Sequence, residues 1–390
     1  MRKVLYLLLF IYPFFGLLIA KEDLLVNRIW GIAVILLALI IILSETLHDR
    51  GKFNVFYRGG VLISFFMLLS ILINQRLGWV DFYSVIKFNL AFFIGGIIYN
   101  QEFTIKGLKL LFRINRAFLI LFLVIIISRI IQFNVNVFSI ASVREQLWFG
   151  RPVYFAFFYS AFALMFLFES YVVGKFKYLK YLVFVPVIFF GARSVLFGSV
   201  IVLITLILSD IFRVSRKYLF RLGFIASIFV VVYFALNFSD LYRSDNPYSY
   251  IVASQADAKQ GSDFDIDSFS SGRVGVIKFY AGNFKLEKIF FGLGGLDSRI
   301  SVGLHNDFLD LFFLYGIFAL AAFIYFYLFK ILIPLLRVDY YPELGNFIVA
   351  LVMFIFIQNL TNPFVITVTS IYFFILLITI LKVQGIPETE

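Results

Sequence analysis

Residues 302–329 read VGLHNDFLDLFFLYGIFALAAFIYFYLF, a polar beginning followed by a long apolar run. From residue 306 onward the run is long enough to cross the hydrocarbon core of a bilayer, which takes roughly 20 residues of helix. The polar beginning contains His305, and the chain has only 2 histidines. The stretch therefore predicts a transmembrane helix at 306–329 that begins directly after an uncommon residue.

The remainder of the chain has the same apolar character, since 62% of the 390 residues are hydrophobic and 15% are charged. These proportions lie far outside those of soluble domains. Runs of membrane-crossing length predict about twelve helices in all. The others are expected at 4–20, 29–44, 59–73, 81–99, 114–133, 152–173, 181–192, 194–211, 222–238, 345–360 and 365–383. The predicted fold class is an all-α integral membrane protein.

The placement of basic residues predicts the orientation, because Lys and Arg in short loops are retained on the cytoplasmic side. If the amino terminus is cytoplasmic, the short outer loops carry few of the 34 Lys and Arg residues, namely Lys21, Arg28, Arg76, Arg144, Arg151 and Arg193. We therefore expect both termini in the cytoplasm and an uncleaved first helix. The same bias accounts for most of the net charge of +11, so nucleic-acid binding is not expected.

This topology divides the chain into three parts. Residues 1–238 hold the helices before a large external loop, residues 239–305 form that loop, and residues 306–390 hold the helices after it. The first half of the loop includes an acidic, serine-rich insert at 254–271. The insert resembles the start of a calcium loop but lacks the required glycine and glutamate, so we interpret it as a solvated surface.

The second half of the loop has a different pattern. From Ser271 onward, apolar residues recur at helical spacing, namely Val274, Ile277, Ala281 and Phe284. This spacing predicts a helix that lies on the membrane surface. Gly292, Gly294 and Gly295 then permit positive-φ turns. Such a glycine cluster is a weak signal for a phosphate loop and more often forms a turn.

Three arginines stand at the beginning of predicted helices, where the helix dipole disfavours a cation. They are Arg151, Arg193 and Arg273. Each is explained either by snorkelling of its side chain to the interface or by an anion held between the guanidinium and the helix N-terminus. Their recurrence favours an anion site at Arg193 and Arg273, and less strongly at Arg151. Arg299, in the glycine-rich turn, is a further candidate.

His305 directly precedes Asn306 and Asp307, either of which can cap the next helix. An isolated interfacial histidine is ordinarily a passive hydrogen-bonded residue. Beside anion-binding arginines it is a candidate general base, because imidazole titrates near neutrality. His48, in a predicted inner loop, has no such setting. The sequence contains no cysteine, which excludes thiolate metal ligands and cysteine nucleophiles.

Three segments together resemble the O-antigen polymerase and O-antigen ligase superfamily. They are FFGARSVLFG (189–198), SGRVGVIKFYAGNFKLEKIFFGLGG (271–295) and GLHNDFLDLFFLYGIFAL (303–320). The similar features are an arginine-led segment of the large external loop, a G-x-G turn, and His-Asn opening a helix with a glycine further along it. The resemblance implies a GT-C-type fold. It also implies metal-independent, inverting glycosyl transfer without a cofactor on the outer face of the bacterial inner membrane.

The same resemblance implies substrates and residue roles. The donor is a glycan on undecaprenyl diphosphate, and the bilayer and a chain-length regulator are further partners. Arg193 and Arg273 match arginines that hold the diphosphate, and His305 matches the histidine that activates the acceptor hydroxyl. Further candidate substrate contacts are Arg151, Lys278, Tyr280, Arg299 and Asn306. At 278 and 280 the family often has an aromatic residue such as tryptophan, and the insert at 254–271 has no counterpart in it.

Within this family the acceptor distinguishes a polymerase, which extends a lipid-linked repeat unit, from a ligase, which transfers the glycan to lipid A-core. The long external loop favours a polymerase of O-antigen or capsular polysaccharide. A secondary transporter or flippase is an alternative, and it would carry ionisable residues near the bilayer midplane and paired broken helices. The ionisable residues within predicted helices all lie within reach of a helix end, which favours the enzyme: Lys87, Arg129, Glu169 and Asp210.

Overall fold

The computed structural model describes residues 2–18, 24–48, 53–102, 104–134, 152–176, 179–190, 192–210, 218, 280, 284–295, 306–337, 342–361 and 370–383. All regular secondary structure in these ranges is helical. By length and composition, the helical stretches that could cross a membrane are Val55–Ile73, Trp79–Tyr99, Ile105–Phe133, Phe155–Val173 and Asp307–Leu336, of which the last is interrupted at Gly316. The chain is therefore an all-α membrane protein, and the full number of crossings stays a prediction.

The described helices follow the predicted order. The first are α1 (Arg2–Leu18), α2 (Leu24–His48), α3 (Val55–Ile73), α4 (Trp79–Tyr99), α5 (Ile105–Phe133) and α6 (Pro152–Val173). Next come α7 (Leu179–Leu182), a 3₁₀ segment (Val185–Phe190), α8 (Arg193–Asp210) and a 3₁₀ turn (Leu286–Lys288). The last are α9 (Asp307–Phe323), a π-helical segment (Ile324–Leu332), α10 (Ile333–Arg337), α11 (Pro342–Thr361) and α12 (Ser370–Val383). The predicted helix at 222–238 and most of the large loop lie outside the described residues.

The predicted crossing at 181–192 is not one continuous α-helix. The Lys180 Nζ lies 2.5 Å from the Asp210 Oδ2 at the end of α8, whereas α8 begins at Arg193, about 26 Å away along its axis. Residues 180–193 therefore run the length of α8. A 3₁₀ helix rises about 2.0 Å per residue, compared with about 1.5 Å for an α-helix. The 3₁₀ segment Val185–Phe190 therefore lengthens a run that would be too short to cross the membrane as an α-helix.

Contacts between helix termini define the two ends of the bundle. The Arg2 side chain donates to the Gln101 side chain (3.4 Å) just beyond α4, and the Lys382 ammonium lies 4.7 Å from the Tyr99 ring centroid. We call this the Tyr99 end and the opposite one the Trp79 end. The beginning of α1 and the last turn of α12 thus lie at the same end. Which side of the membrane that end faces stays a prediction.

The core around α4 is built largely from aromatic rings. Phe92 contacts the rings of Tyr327 and Phe374 at centroid distances of 6.3 and 5.3 Å. Close approach of α3 and α4 depends on Gly96, where a Cβ would lie 2.2 Å from the Tyr57 ring. Small residues permit such backbone approach between membrane helices. The central helix α4 is thereby fixed between α3, α12 and the segment that follows α9.

Candidate functional site

The continuous helix predicted at 306–329 is interrupted at Gly316, whose φ of 86° and ψ of −179° are not helical. The rings of Phe308 and Phe323 lie 5.7 Å apart, although a straight helix would separate these residues by about 22 Å along its axis. The helical segments before and after Gly316 therefore enclose an angle of roughly a right angle or less. Residues 307–315 form a half-helix that bends back toward residues 317–337.

The beginning of this half-helix lies inside the bundle. Phe308 contacts Phe323, and the Phe323 ring lies 5.6 Å from that of Phe88. Phe88 is near the middle of α4, about 13 Å along the axis from Trp79. The cap of α9 is therefore beside the centre of a membrane-crossing helix, not at the end of the bundle, as a continuous crossing would have placed it.

A break in a buried helix frees backbone groups that must find other partners. Residues 289–295 supply them in three hydrogen bonds: Leu293 N to Phe313 O (2.9 Å), Gly294 N to Leu314 O (2.8 Å), and Ile317 N to Ile289 O (2.8 Å). The two backbones approach closely enough that a Cβ at Gly292 would lie 2.5 Å from the Leu314 carbonyl carbon. The glycine-rich segment thus completes the hydrogen bonding of the broken helix.

These contacts decide between the two interpretations of the glycine cluster. Gly292, Gly294 and Gly295 all have positive φ, at 59°, 80° and 144°, so the turn prediction is confirmed. A phosphate loop needs free N–H groups, but the N–H groups of Gly292, Leu293 and Gly294 donate to protein carbonyls. The glycines serve backbone packing at the break.

Helix α3 holds this segment at the Trp79 end. The Ser70 hydroxyl donates to the Phe291 carbonyl, and the Asn74 amide donates to the same oxygen at 3.3 Å. The Lys288 ammonium donates to the Asn74 Oδ1 at 2.6 Å. The break is therefore held by side chains as well as by backbone hydrogen bonds.

Asn306 organises the amino end of the half-helix. Its Oδ1 accepts from the N–H groups of Phe308 and Leu309, both at 3.0 Å, and its Nδ2 donates to the Leu360 carbonyl at 2.9 Å. Of the two candidate caps, Asn306 and Asp307, the cap is Asn306. Asp307 is fully buried in the first turn, where the positive end of the helix dipole favours the ionised form of a carboxyl group.

The same end of α11 lies beside the beginning of α8. A Cβ at Gly198 would lie 2.6 Å from the Gln358 Nε2, while at the other end of the pair the Asn346 amide donates to the Ser209 hydroxyl. The two helices are therefore antiparallel. In this register Arg193, the first residue of α8, lies within about one helical turn of Leu360 along the axis.

Two of the predicted site positions are thus brought together by α11. Asn306 binds its carboxyl end, and the backbone of Arg193 begins the helix packed beside that end. Tyr280 is buried, with its ring 6.3 Å from that of Phe313 on the half-helix. The remaining candidates lie outside the described residues: Arg151, Arg273, Lys278, Arg299 and His305.

Several residues of this region were not identified from the sequence. They are the clamp residues Ser70 and Asn74 and the buried Asp310; the sequence marks Asp307 only as a possible cap, and Gly316 only as a glycine of the resemblance and not as a break. A glycine inside an apolar helical run and an Asp-x-x-Asp pair at its beginning were the available signals. In the described part of the chain, no group of three or more His, Asp or Glu side chains could hold a metal ion.

No protein-family model and no curated protein matches this chain. The resemblance noted above therefore depends on its motifs alone.

Proposed function

We propose that this chain is a polysaccharide polymerase of the O-antigen or capsular type. It transfers a glycan from undecaprenyl diphosphate to a sugar hydroxyl of a lipid-linked repeat unit, on the outer face of the membrane and without a metal ion. The observation that supports this proposal is the common end of α8, α11 and the half-helix. There the helix that begins with Arg193 packs beside the carboxyl end of α11, and the cap that directly follows His305 donates to the Leu360 carbonyl at the same end.

The proposed reaction is a single displacement. The acceptor oxygen attacks the anomeric carbon, the bond from that carbon to the diphosphate oxygen breaks, and the configuration inverts. His305 takes the proton of the acceptor hydroxyl, and the leaving diphosphate takes the bonding electron pair. Arg193 and Arg273 neutralise the charge that grows on the diphosphate, which is the kind of electrostatic stabilisation that lowers a transition state most. Apolar helix surfaces hold the polyprenyl chain.

The half-helix adds an electrostatic reason for this assignment. Its positive end by itself disfavours an imidazolium, but the fully buried carboxyl group of Asp307 stands in its first turn, two residues along the chain from His305. A carboxylate near a histidine stabilises the imidazolium formed when the histidine takes a proton. We propose Asp307 for that role.

Binding and turnover separate these roles. Arg193→Ala should weaken binding of a purified polyprenyl-diphosphate glycan and also slow single-turnover transfer, since the charge on the diphosphate is greatest in the transition state. His305→Ala should leave donor affinity unchanged and reduce transfer by about 100-fold or more. Wild-type transfer by His305→Ala would overturn the assignment of the base.

The acceptor distinguishes the polymerase from the ligase. After deletion of the gene, a surface glycan reduced to a single repeat on the lipid A-core indicates a polymerase. Complete absence of attached glycan indicates a ligase. We propose the polymerase because the long external loop offers surface for recognising one particular repeat unit.

A second candidate, a transporter or flippase, is favoured by the broken helix itself. Discontinuous helices and buried carboxylates near the middle of a bundle are typical of transporters, and Asp307 and Asp310 are both buried in the half-helix. Purified protein in detergent micelles distinguishes the two functions, because transfer needs no membrane and transport does. Glycan transfer in micelles supports the enzyme, whereas movement of the lipid-linked glycan across proteoliposomes without transfer supports the transporter.

A further inference from the structure

The carboxamide of Asn306 does two things at once. Its oxygen caps the half-helix by accepting from two backbone N–H groups, and its Nδ2 donates to the Leu360 carbonyl. Leu360 stands in the last turn of α11, where backbone carbonyls have no partner within their own helix. One side chain therefore joins the beginning of one helix to the end of another.

This junction links the backbone elements that carry the two proposed reacting groups. The Cα atom of His305 is tied by the peptide bond to within about 3.8 Å of the Cα atom of Asn306. Arg193 begins α8, and α8 is held against α11 near Gln358. The path from the base to the diphosphate-holding arginine thus runs through the Asn306–Leu360 hydrogen bond.

Only asparagine meets both requirements of the site. Aspartate would keep the cap but lose the donor, and it would place a second carboxylate beside buried Asp307. Serine would cap the helix but lacks a donor that reaches Leu360. Residues that cap a helix without a further role are common at this position. The hydrogen bond that the Nδ2 donates to α11 is therefore what distinguishes Asn306 from an ordinary cap.

We infer that Asn306 is a positioning residue for the glycosyl transfer, holding His305 at a fixed distance from Arg193 through the carboxyl end of α11. The inference deepens the proposed function and rests on it. It replaces direct sugar binding by Asn306, because the carboxamide oxygen is already engaged by Phe308 and Leu309.

The chain offers a matched control at the opposite end of the bundle. Asn54 caps α3 by accepting from the N–H groups of Phe56 and Tyr57, and its Nδ2 donates to the Gly96 carbonyl (2.9 Å) and to the Asn100 Oδ1 (2.8 Å). Asn54→Asp and Asn306→Asp therefore remove the same donor and keep the same cap. Only the second change touches the proposed site.

The test measures kcat, the KM for the lipid-linked donor, and thermal stability of both variants in detergent. We expect similar losses of stability, a decrease in kcat of about 10- to 100-fold for Asn306→Asp alone, and an unchanged KM for the donor. Asn306→Ser, which removes the donor without adding charge, should give the same decrease. If the aspartate variant fails to fold, the serine variant is used to test the inference.

A double-mutant comparison separates positioning from general destabilisation. In a His305→Ala background, Asn306→Ser should lower kcat no further, because there is no base left to position. Equal decreases in both backgrounds, or wild-type kcat for Asn306→Ser, overturn the inference. If His305→Ala itself transfers at the wild-type rate, the proposed function fails instead.

Discussion

Replacing Gly316 with alanine tests the broken helix directly. A non-glycine residue at φ 86° and ψ −179° costs about 1–3 kcal/mol in backbone strain. The added Cβ would also lie 2.2 Å from the Phe290 carbonyl oxygen, so residues 289–295 must move away. This displacement weakens three backbone hydrogen bonds, each worth about 1 kcal/mol. We therefore expect Gly316→Ala to lower the free energy of unfolding by about 4–6 kcal/mol.

Gly174→Ala is the matched control. Gly174 also has a positive φ, of 68°, but a Cβ there would meet no atom within 4 Å. Only backbone strain applies, and the expected loss is about 1–2 kcal/mol. Equilibrium unfolding of the purified protein in mixed micelles with increasing SDS measures both losses. If the two variants differ by less than about 1 kcal/mol, the close packing of residues 289–295 against the break does not hold the structure together, and our account of Gly316 is wrong.

Three further predictions concern the orientation in the membrane, the metal dependence of transfer, and the hydrogen bonds that Asp210 accepts. Cysteines introduced at Ser262 and Lys177 should react with an impermeant reagent in spheroplasts only at Ser262; labelling at Lys177 would reverse the predicted topology. Transfer should persist in EDTA, and loss that Mg²⁺ or Mn²⁺ restores would exclude the metal-independent mechanism. Asp210→Ala removes the acceptor of Lys180, Tyr171 and Tyr181 and should destabilise the protein in the SDS titration by about 3 kcal/mol. A loss under 1 kcal/mol would show that these donors find other partners.

Most helix positions were predictable because the bilayer interior offers no hydrogen-bond partners, so the chain must bond its own backbone. Apolar runs consequently mark helices, and α3, α4 and α6 begin and end within a few residues of the predicted bounds. The Asn306 cap was predictable as well, since its chemistry is local. The cap depends on the residue itself and the next turn of helix.

The break at Gly316 was not predictable, because its partners are distant in the sequence. Hydropathy cannot distinguish a straight apolar helix from one that bends, and a glycine in a membrane helix more often serves packing. Residues 289–295 supply the hydrogen-bond partners of the backbone groups that the break frees, yet their sequence indicates only a turn. The convergence of Arg193 and Asn306 depends in turn on the register of α8 and α11, which is set by contacts such as that of Gly198 with Gln358.

The half-helix bears on our proposal that the residue before it, His305, is the base. A continuous helix would have put its amino end, and the preceding residue, at the surface of the membrane, where water screens charges. The bend at Gly316 instead carries Asn306 to the level of Phe88 in the middle of α4. There the dipole of the half-helix acts in a medium of lower dielectric constant, which strengthens its interaction with a nearby charge. Both ends of the half-helix are held by other helices: the Ser70 hydroxyl donates to the Leu314 carbonyl, and the Asn306 cap donates to the Leu360 carbonyl. If His305 is the base that we propose, the residue to which it is bonded is held by two other helices, which suits a base that must meet one particular hydroxyl.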